Sequence, residues 1–249
     1  MRYILSLRIP NENGGNGLTE KLLKVLFPTD RHHMTGLHEI IGGLLPQTGR
    51  VLDLGCGANT TLSAYRTSGR EVWGTDVAPK PQLRHAEWFR PLGPGGSIPF
   101  ADASFDLIVA VMVMEHVAEP APFFVEVARA LRPGGHFVGH TISGSHYVTW
   151  IRRLLGILPH SLNQLLVRTL YGRPKEDTFP AFYRLNRRAQ IVRACRQAGL
   201  GEPAIARYAD PGYFRFLGPV QEAAIVADWA LERIAQGWGR LYMTVTTRK

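Results

Sequence analysis

Val51-Leu-Asp-Leu-Gly-Cys-Gly-Ala-Asn59 is a short apolar run that carries an acid and passes straight into glycines opening a helix. Glycine is needed there because the backbone turns sharply and a ligand approaches with no Cβ in its way. The dinucleotide fingerprint requires a third glycine three positions after Gly57, where this chain has Thr60. Asp53, ahead of the first glycine, repels a pyrophosphate and attracts an ammonium group. A second acid, Asp76, ends the next apolar run 19 positions beyond Gly57, where doubly wound sheets hydrogen-bond a ribose. The expected ligand is a nucleoside with a zwitterionic or cationic tail and no phosphate, lying across the strand C-termini.

The rest of the chain fits that sheet. Helical spacing marks residues 18–26 and 34–45, separated by Pro28. Strands are expected at 51–54, 71–75, 85–89 and 107–114. A helix at 123–131 follows, stopped by Pro133-Gly134-Gly135, and then a strand at 136–142. After an interruption come a helix at 187–198 closed by Gly199, a strand at 204–208, a helix at 220–234 and a strand at 241–247. Strands alternating with helices imply right-handed βαβ units, hence an α/β, doubly wound, Rossmann-like and mostly parallel sheet with helices on both faces. The interruption, about residues 143–183, reads as a helical cap inserted in a single domain, and residues 11–17 as a flexible leader.

Charge is distributed unevenly. The 249 residues hold 29 Lys and Arg against 20 Asp and Glu, a net +9. Residues 127–175, a stretch that runs into the cap, contain no acid and carry +7 of it. Either the leucine faces of the cap pack on the core and its arginines are solvated, or the cap is a basic amphipathic hairpin that rests on an anionic membrane or admits a lipid-like or anionic acceptor. Cys56 and Cys195 are the only cysteines, which excludes a disulfide scaffold. The longest apolar run, 107–114, has eight residues, well short of the ~20 a membrane-spanning helix needs. With no export signal read at the start, a cytoplasmic protein is expected, membrane-peripheral on the second reading of the cap.

Five motifs in order resemble the class I S-adenosylmethionine-dependent methyltransferases, specifically the type 11 methyltransferase domain. Val51 to Gly57 resembles the first motif of that family and Asp76 its ribose-binding acid. Ile98-Pro-Phe-Ala-Asp-Ala-Ser-Phe-Asp106 is similar to the entry into the fourth strand. Glu115-His116-Val117 and Leu131-Arg-Pro-Gly-Gly135 resemble the segments after the fourth strand and before the fifth. The resemblance covers residues 30–142 closely and implies a seven-stranded sheet whose last strand is antiparallel. It implies S-adenosyl-L-methionine as donor and S-adenosyl-L-homocysteine as product. Asp53 would hold the amino group of the donor, with backbone access at Gly55, Cys56 and Gly57. Asp76 and Val77 would meet the ribose, and Met112 and His116 the transferred methyl. Two positions depart from the family pattern. Asn59 replaces its third glycine, and Gly93-Pro-Gly-Gly-Ser97 replaces the stretch holding its adenine-binding acid. Asn tolerates a left-handed backbone, and backbone groups of Gly95 and Gly96 or the Ser97 hydroxyl are the candidate substitutes for the acid.

Methyl transfer needs alignment and a desolvated pocket, and a base only when the nucleophile starts protonated. His116 and His140 are the candidate bases; His146, Tyr183 and Tyr213 are expected to line the acceptor pocket. His32, His33 and His38 have no carboxylate or cysteine cluster beside them, so no metal is expected. A small or lipophilic acceptor methylated at oxygen is the expected substrate. Nucleic acid is the alternative, disfavoured because no Asn/Asp-Pro-Pro-aromatic motif follows the fourth strand, and a non-catalytic binding protein on the same fold is the other. The sequence indicates no oligomeric state.

Overall fold

The computed structural model of the chain describes residues 17–28, 32–155, 180–210 and 220–249; of the expected leader 11–17 only Gly17, the first residue of a helix, is among them, and the central cap residues 156–179 lie outside them. The described helices are α1 (Gly17–Leu26), α2 (His33–Leu44), α3 (Pro120–Ala130), α4 (Tyr147–Leu155), α5 (Arg188–Gln197) and α6 (Val220–Ile234). The strands are β1 (Gly49–Leu54), β2 (Arg70–Asp76), β3 (Phe89–Pro91), β4 (Phe105–Val111), β5 (Leu131–Ile142), β6 (Ala204–Tyr208) and β7 (Tyr242–Arg248). They form one seven-stranded sheet in the order β3-β2-β1-β4-β5-β7-β6. All pairings are parallel except those of β7, which runs antiparallel to β5 and β6. The expected seven-stranded sheet with an antiparallel last strand is present.

Alternate residues of each strand build the two cores, as a period of two requires. Val51, Leu107 and Val138 pack with Leu37 and Ile41 of α2 on one face. Leu52, Ile108 and Phe137 pack with Phe124 of α3 and Ile191 of α5 on the other. Strand switching at β1, between β2 on one side and β4 on the other, leaves the crevice where open α/β sheets bind ligands.

The helix expected to open at the glycines is absent, residues 55–62 being turn and Ser63–Tyr65 a single 3-10 turn, and three boundaries also differ from expectation. The third strand begins only at Phe89, where pairing with Gly74 becomes available; His85 is left-handed and residues 86–88 form a 3-10 turn. The apolar run 107–114 is not all strand. Met112 is left-handed (φ +56°) and Met114–His116 form a 3-10 turn, the side chain of Met114 being apolar because it plugs the core. Pro133-Gly134-Gly135 lies within β5 as an irregularity, shifting its register on β4 between Phe105 and Leu107. In the cap, Trp150, Ile151 and Leu154 of α4 are exposed. No helix among the described residues is long and apolar enough to cross a membrane.

Candidate active site

The glycine turn after β1 is bolted to the end of β2. The Gly55 and Cys56 amides both donate to the Thr75 carbonyl (2.7 and 3.0 Å), and the Gly57 amide donates to Asp76 Oδ2 (2.8 Å). Gly55 is left-handed (φ +78°), and a Cβ there would lie 2.3 Å from Val113 Cγ2. The turn therefore touches the segment after β4 directly. Gly57 is also left-handed (φ +54°), but a Cβ there meets nothing within 4 Å, so its face opens on free space. Asn59 takes a left-handed φ of +55°, and its side-chain amide donates to the His85 carbonyl (3.3 Å), so the turn survives without a third glycine.

Two acids meet this turn in different states. Asp76 is satisfied by the protein: Oδ2 by Gly57 and Oδ1 by the Val77 amide (2.7 Å). Asp53 is buried, and its Oδ2 has no hydrogen-bond partner. Burial pushes its carboxyl up from 3.8 to about 7; a backbone hydrogen bond from Leu62 opposes the rise and the charge of Asp76 adds to it. A buried, orphaned carboxylate oxygen calls for a cationic partner. The residues present fit a donor with an ammonium group at Asp53 and hydroxyls at Asp76. The Cys56 thiol, pushed up to about 12 chiefly by burial, is inert.

The turn replacing the adenine acid sits beside Asp76, whose carbonyl accepts the Leu92 amide (2.8 Å). Gly95 and Gly96 are left-handed, as only glycine adopts freely. The Gly96 amide is used within the turn, bonding the Gly93 carbonyl (3.1 Å), while Ser97 closes it through its backbone and folds its hydroxyl against Gly93. Behind it, Arg129 of α3 bonds the Ile98 and Phe100 carbonyls and the carboxylates of Glu126 and Asp102, each at 2.8–2.9 Å.

The segment after β4 is coupled to the far end of the cap. Buried Glu115 accepts the Thr141 hydroxyl (2.7 Å), and Asn186 donates to Thr141 Oγ1 (3.0 Å) and the Ile142 carbonyl (2.7 Å). The Glu115 carbonyl accepts the amides of Phe182 and Tyr183. His116 Nδ1 lies 2.9 Å from the Pro180 carbonyl; a carbonyl only accepts, so Nδ1 carries the proton of this contact. Tyr183 is buried at a left-handed φ of +54°, its carbonyl bound by Arg153. Sequence reasoning missed Thr141 and Asn186, which belong to no local motif.

The other predicted residues are held elsewhere. His140 points to the opposite face of β5 from Thr141, wholly buried, with Nε2 3.0 Å from His33 Nδ1 and Nδ1 2.9 Å from Thr244 Oγ1. Burial above all holds both rings neutral, His33 at about 3 and His140 at about 4. His38 bonds Tyr65 instead, and among the described residues no group of three or more His, Cys, Asp or Glu is arranged to hold a metal. His146 is buried, accepting the Val148 amide at Nδ1 and donating from Nε2 to Asp228 of α6 (3.2 Å). Met112 lies half-exposed beside His140, its amide on that residue's carbonyl. Tyr213 lies outside the described residues.

A doubly wound sheet with a cation-seeking acid and a hydroxyl-seeking acid flanking an open glycine turn defines a class I methyltransferase. The methyltransferase domain family matches residues 29–201, and the chain belongs to it; its methyl donor is S-adenosylmethionine. The chain is similar to a ubiquinone biosynthesis O-methyltransferase of Paracidovorax citrulli, 29% identical over 66% of this chain and 71% of that one. It is also similar to a demethylmenaquinone methyltransferase of Tropheryma whipplei, 30% identical over 47% of this chain and only 50% of that one. In fold it matches a geranyl diphosphate C-methyltransferase of Streptomyces coelicolor A3(2), solved with Mg2+, geranyl diphosphate and S-adenosyl-L-homocysteine. The TM-score is 0.53 at 18% identity, covering 98% of this chain and 89% of that one.

Proposed function

We propose that the protein methylates a hydroxyl oxygen of a small, lipophilic acceptor at the cytoplasmic face of a membrane. The observation carrying the site is the buried, unpartnered Asp53 Oδ2 in the strand that leads into the open glycine turn at Gly57. Asp53 holds the donor amino group and Asp76 the ribose hydroxyls, with Val77 beside them and the Gly93–Ser97 turn along the adenine. When bound, S-adenosylmethionine supplies an electrophilic methyl group for in-line displacement.

Oxygen is favoured because His116 is prepared as a base. Its tautomer is set by the Pro180 carbonyl, and a base is needed only where the nucleophile starts protonated. Glu115, Thr141 and Asn186 position the His116 segment, and Tyr183 walls the acceptor side. The ubiquinone-pathway relative supports a hydroxylated, lipophilic acceptor. The basic cap is the surface proposed to meet the membrane.

Calorimetry with S-adenosylhomocysteine and methylation of a prenylated catechol test the reading. Binding, lost in Asp53→Ala and Asp76→Ala, and methyl transfer to oxygen that His116→Ala lowers by about 10²–10⁴-fold are expected. No binding at millimolar product would overturn the donor site, and transfer to carbon or to RNA would overturn the acceptor.

A further inference from the structure

The exposed apolar residues of α4 sit among guanidinium groups. Trp150, Ile151 and Leu154 are 53, 48 and 68% exposed on one side of the helix, while Val148 and Thr149 anchor its other side. Arg153 and Arg187 both lie over the Trp150 ring, at 5.8 and 5.3 Å from its centre. The patch continues through Arg153, which stacks on Tyr183 and bonds its carbonyl. It ends at exposed Phe182, with Arg184 over its ring. Residues 127–201 hold 12 Lys and Arg and only two acids, Glu176 and Asp177, a net +10 in a chain of +9. The rest of the protein is therefore slightly acidic.

From this we infer that α4 and the Pro180–Arg187 segment form a docking face for an anionic lipid bilayer. The inference rests on the methyltransferase reading above, and it names the surface from which the acceptor is drawn. Charge complementarity selects an anionic partner. Aliphatic Ile151 and Leu154 select the interfacial region of a bilayer over nucleic acid, whose bases stack on aromatic rings and gain nothing from exposed isobutyl groups. Arginines at the rim keep their charges at headgroup level while Trp150 and Leu154 enter the acyl boundary. The face is continuous with the reaction site, because Pro180, Phe182 and Tyr183 are the residues that bond His116 and Glu115. A lipophilic acceptor leaving the bilayer at this patch arrives next to the histidine without crossing water.

Co-sedimentation with phosphatidylcholine vesicles, with and without about one third phosphatidylglycerol, tests this on the full chain. Binding to the anionic vesicles is expected to exceed binding to neutral ones by roughly tenfold and to weaken as salt rises. Trp150→Ser/Leu154→Ser, at exposed positions, should lose roughly tenfold of that binding and keep the wild-type affinity for S-adenosylhomocysteine. Equal binding by wild type and double variant, or equal binding to both vesicle types, would overturn the docking face. So would labelled single-stranded RNA that binds as tightly and competes with vesicles, which assigns the patch to nucleic acid. A protein that binds anionic vesicles through these residues but never binds the homocysteine product keeps the docking face and loses the methyltransferase reading instead.

Discussion

The Asp76 carboxylate, at the end of β2, accepts the amide hydrogen of Gly57 at 2.8 Å across the boundary between the first two strands. One acid thus shapes the glycine turn and, on the proposed function, binds the ligand that the turn receives. Asp76→Ala should weaken S-adenosylhomocysteine binding by about 10–100-fold, the scale of a hydrogen bond to a charged group. Asp76→Asn, which can still accept the Gly57 amide, should fall between it and wild type. Calorimetry that finds Asp76→Ala unimpaired would place the ribose elsewhere.

Asp53 makes donor binding depend on pH. Its carboxyl titrates at about 7 in the free protein and at 3.8 when unperturbed, while a cationic ligand requires the ionised form. Affinity for S-adenosylhomocysteine should therefore rise between pH 5.5 and 8 by up to about tenfold per unit below 7, with proton release, and the slope should vanish in Asp53→Asn. Stability runs the other way. Between 3.8 and 7 the native state binds more protons than the unfolded chain, so stability is lost as pH rises through that window. Asp53→Asn should gain stability over wild type at pH 8, by at most about 4 kcal/mol, with the gap closing toward pH 4. A pH-independent difference in denaturant midpoint would refute this.

Gly55 and Gly57 should fail for different reasons. Gly55→Ala strains a φ of +78° and drives a methyl into Val113, so a stability loss of about 2 kcal/mol or more is expected. Val113→Ala should restore part of it. Gly57→Ala has open space and should cost only about 1 kcal/mol, yet it fills the face left for the donor and should weaken product binding more than Gly55→Ala. Paired thermal melts and titrations separate the two, and equal profiles would contradict the geometry.

Arg129 ties α3 to the loop beside the adenine turn. Its five N–H bonds include two carbonyls, those of Ile98 and Phe100, left without that partner when it is removed. Arg129→Met should cost about 2–4 kcal/mol in urea unfolding. Hydrogen exchange should also quicken around residues 98–102, and unchanged exchange there would show that the loop does not depend on Arg129.

Much of this was legible locally. The run from Val51 to Asn59 combines strand patterning, obligatory glycines and an acid within nine residues. Such signals are short-range, so the glycine turn with its acids and the doubly wound class of sheet followed from the chain alone. The end of the fourth strand differs because Met114 is apolar for core packing beyond the last strand residue, and hydrophobicity does not distinguish a strand from a plugged turn. The candidate bases needed tertiary geometry. His116 and His140 look alike in sequence, yet one meets a carbonyl from the end of the cap and the other is sealed between His33 and Thr244.

By itself, the sequence determined the strand segments, the glycine turn and the acids flanking it, because each depends on neighbours a few residues apart. Only the tertiary structure decided which histidine stands beside the cap, how Glu115 is braced by Thr141 and Asn186, and where the excess arginines gather. Those contacts join segments 26 to 68 residues apart, and no local pattern encodes a contact that exists only once the chain has closed on itself.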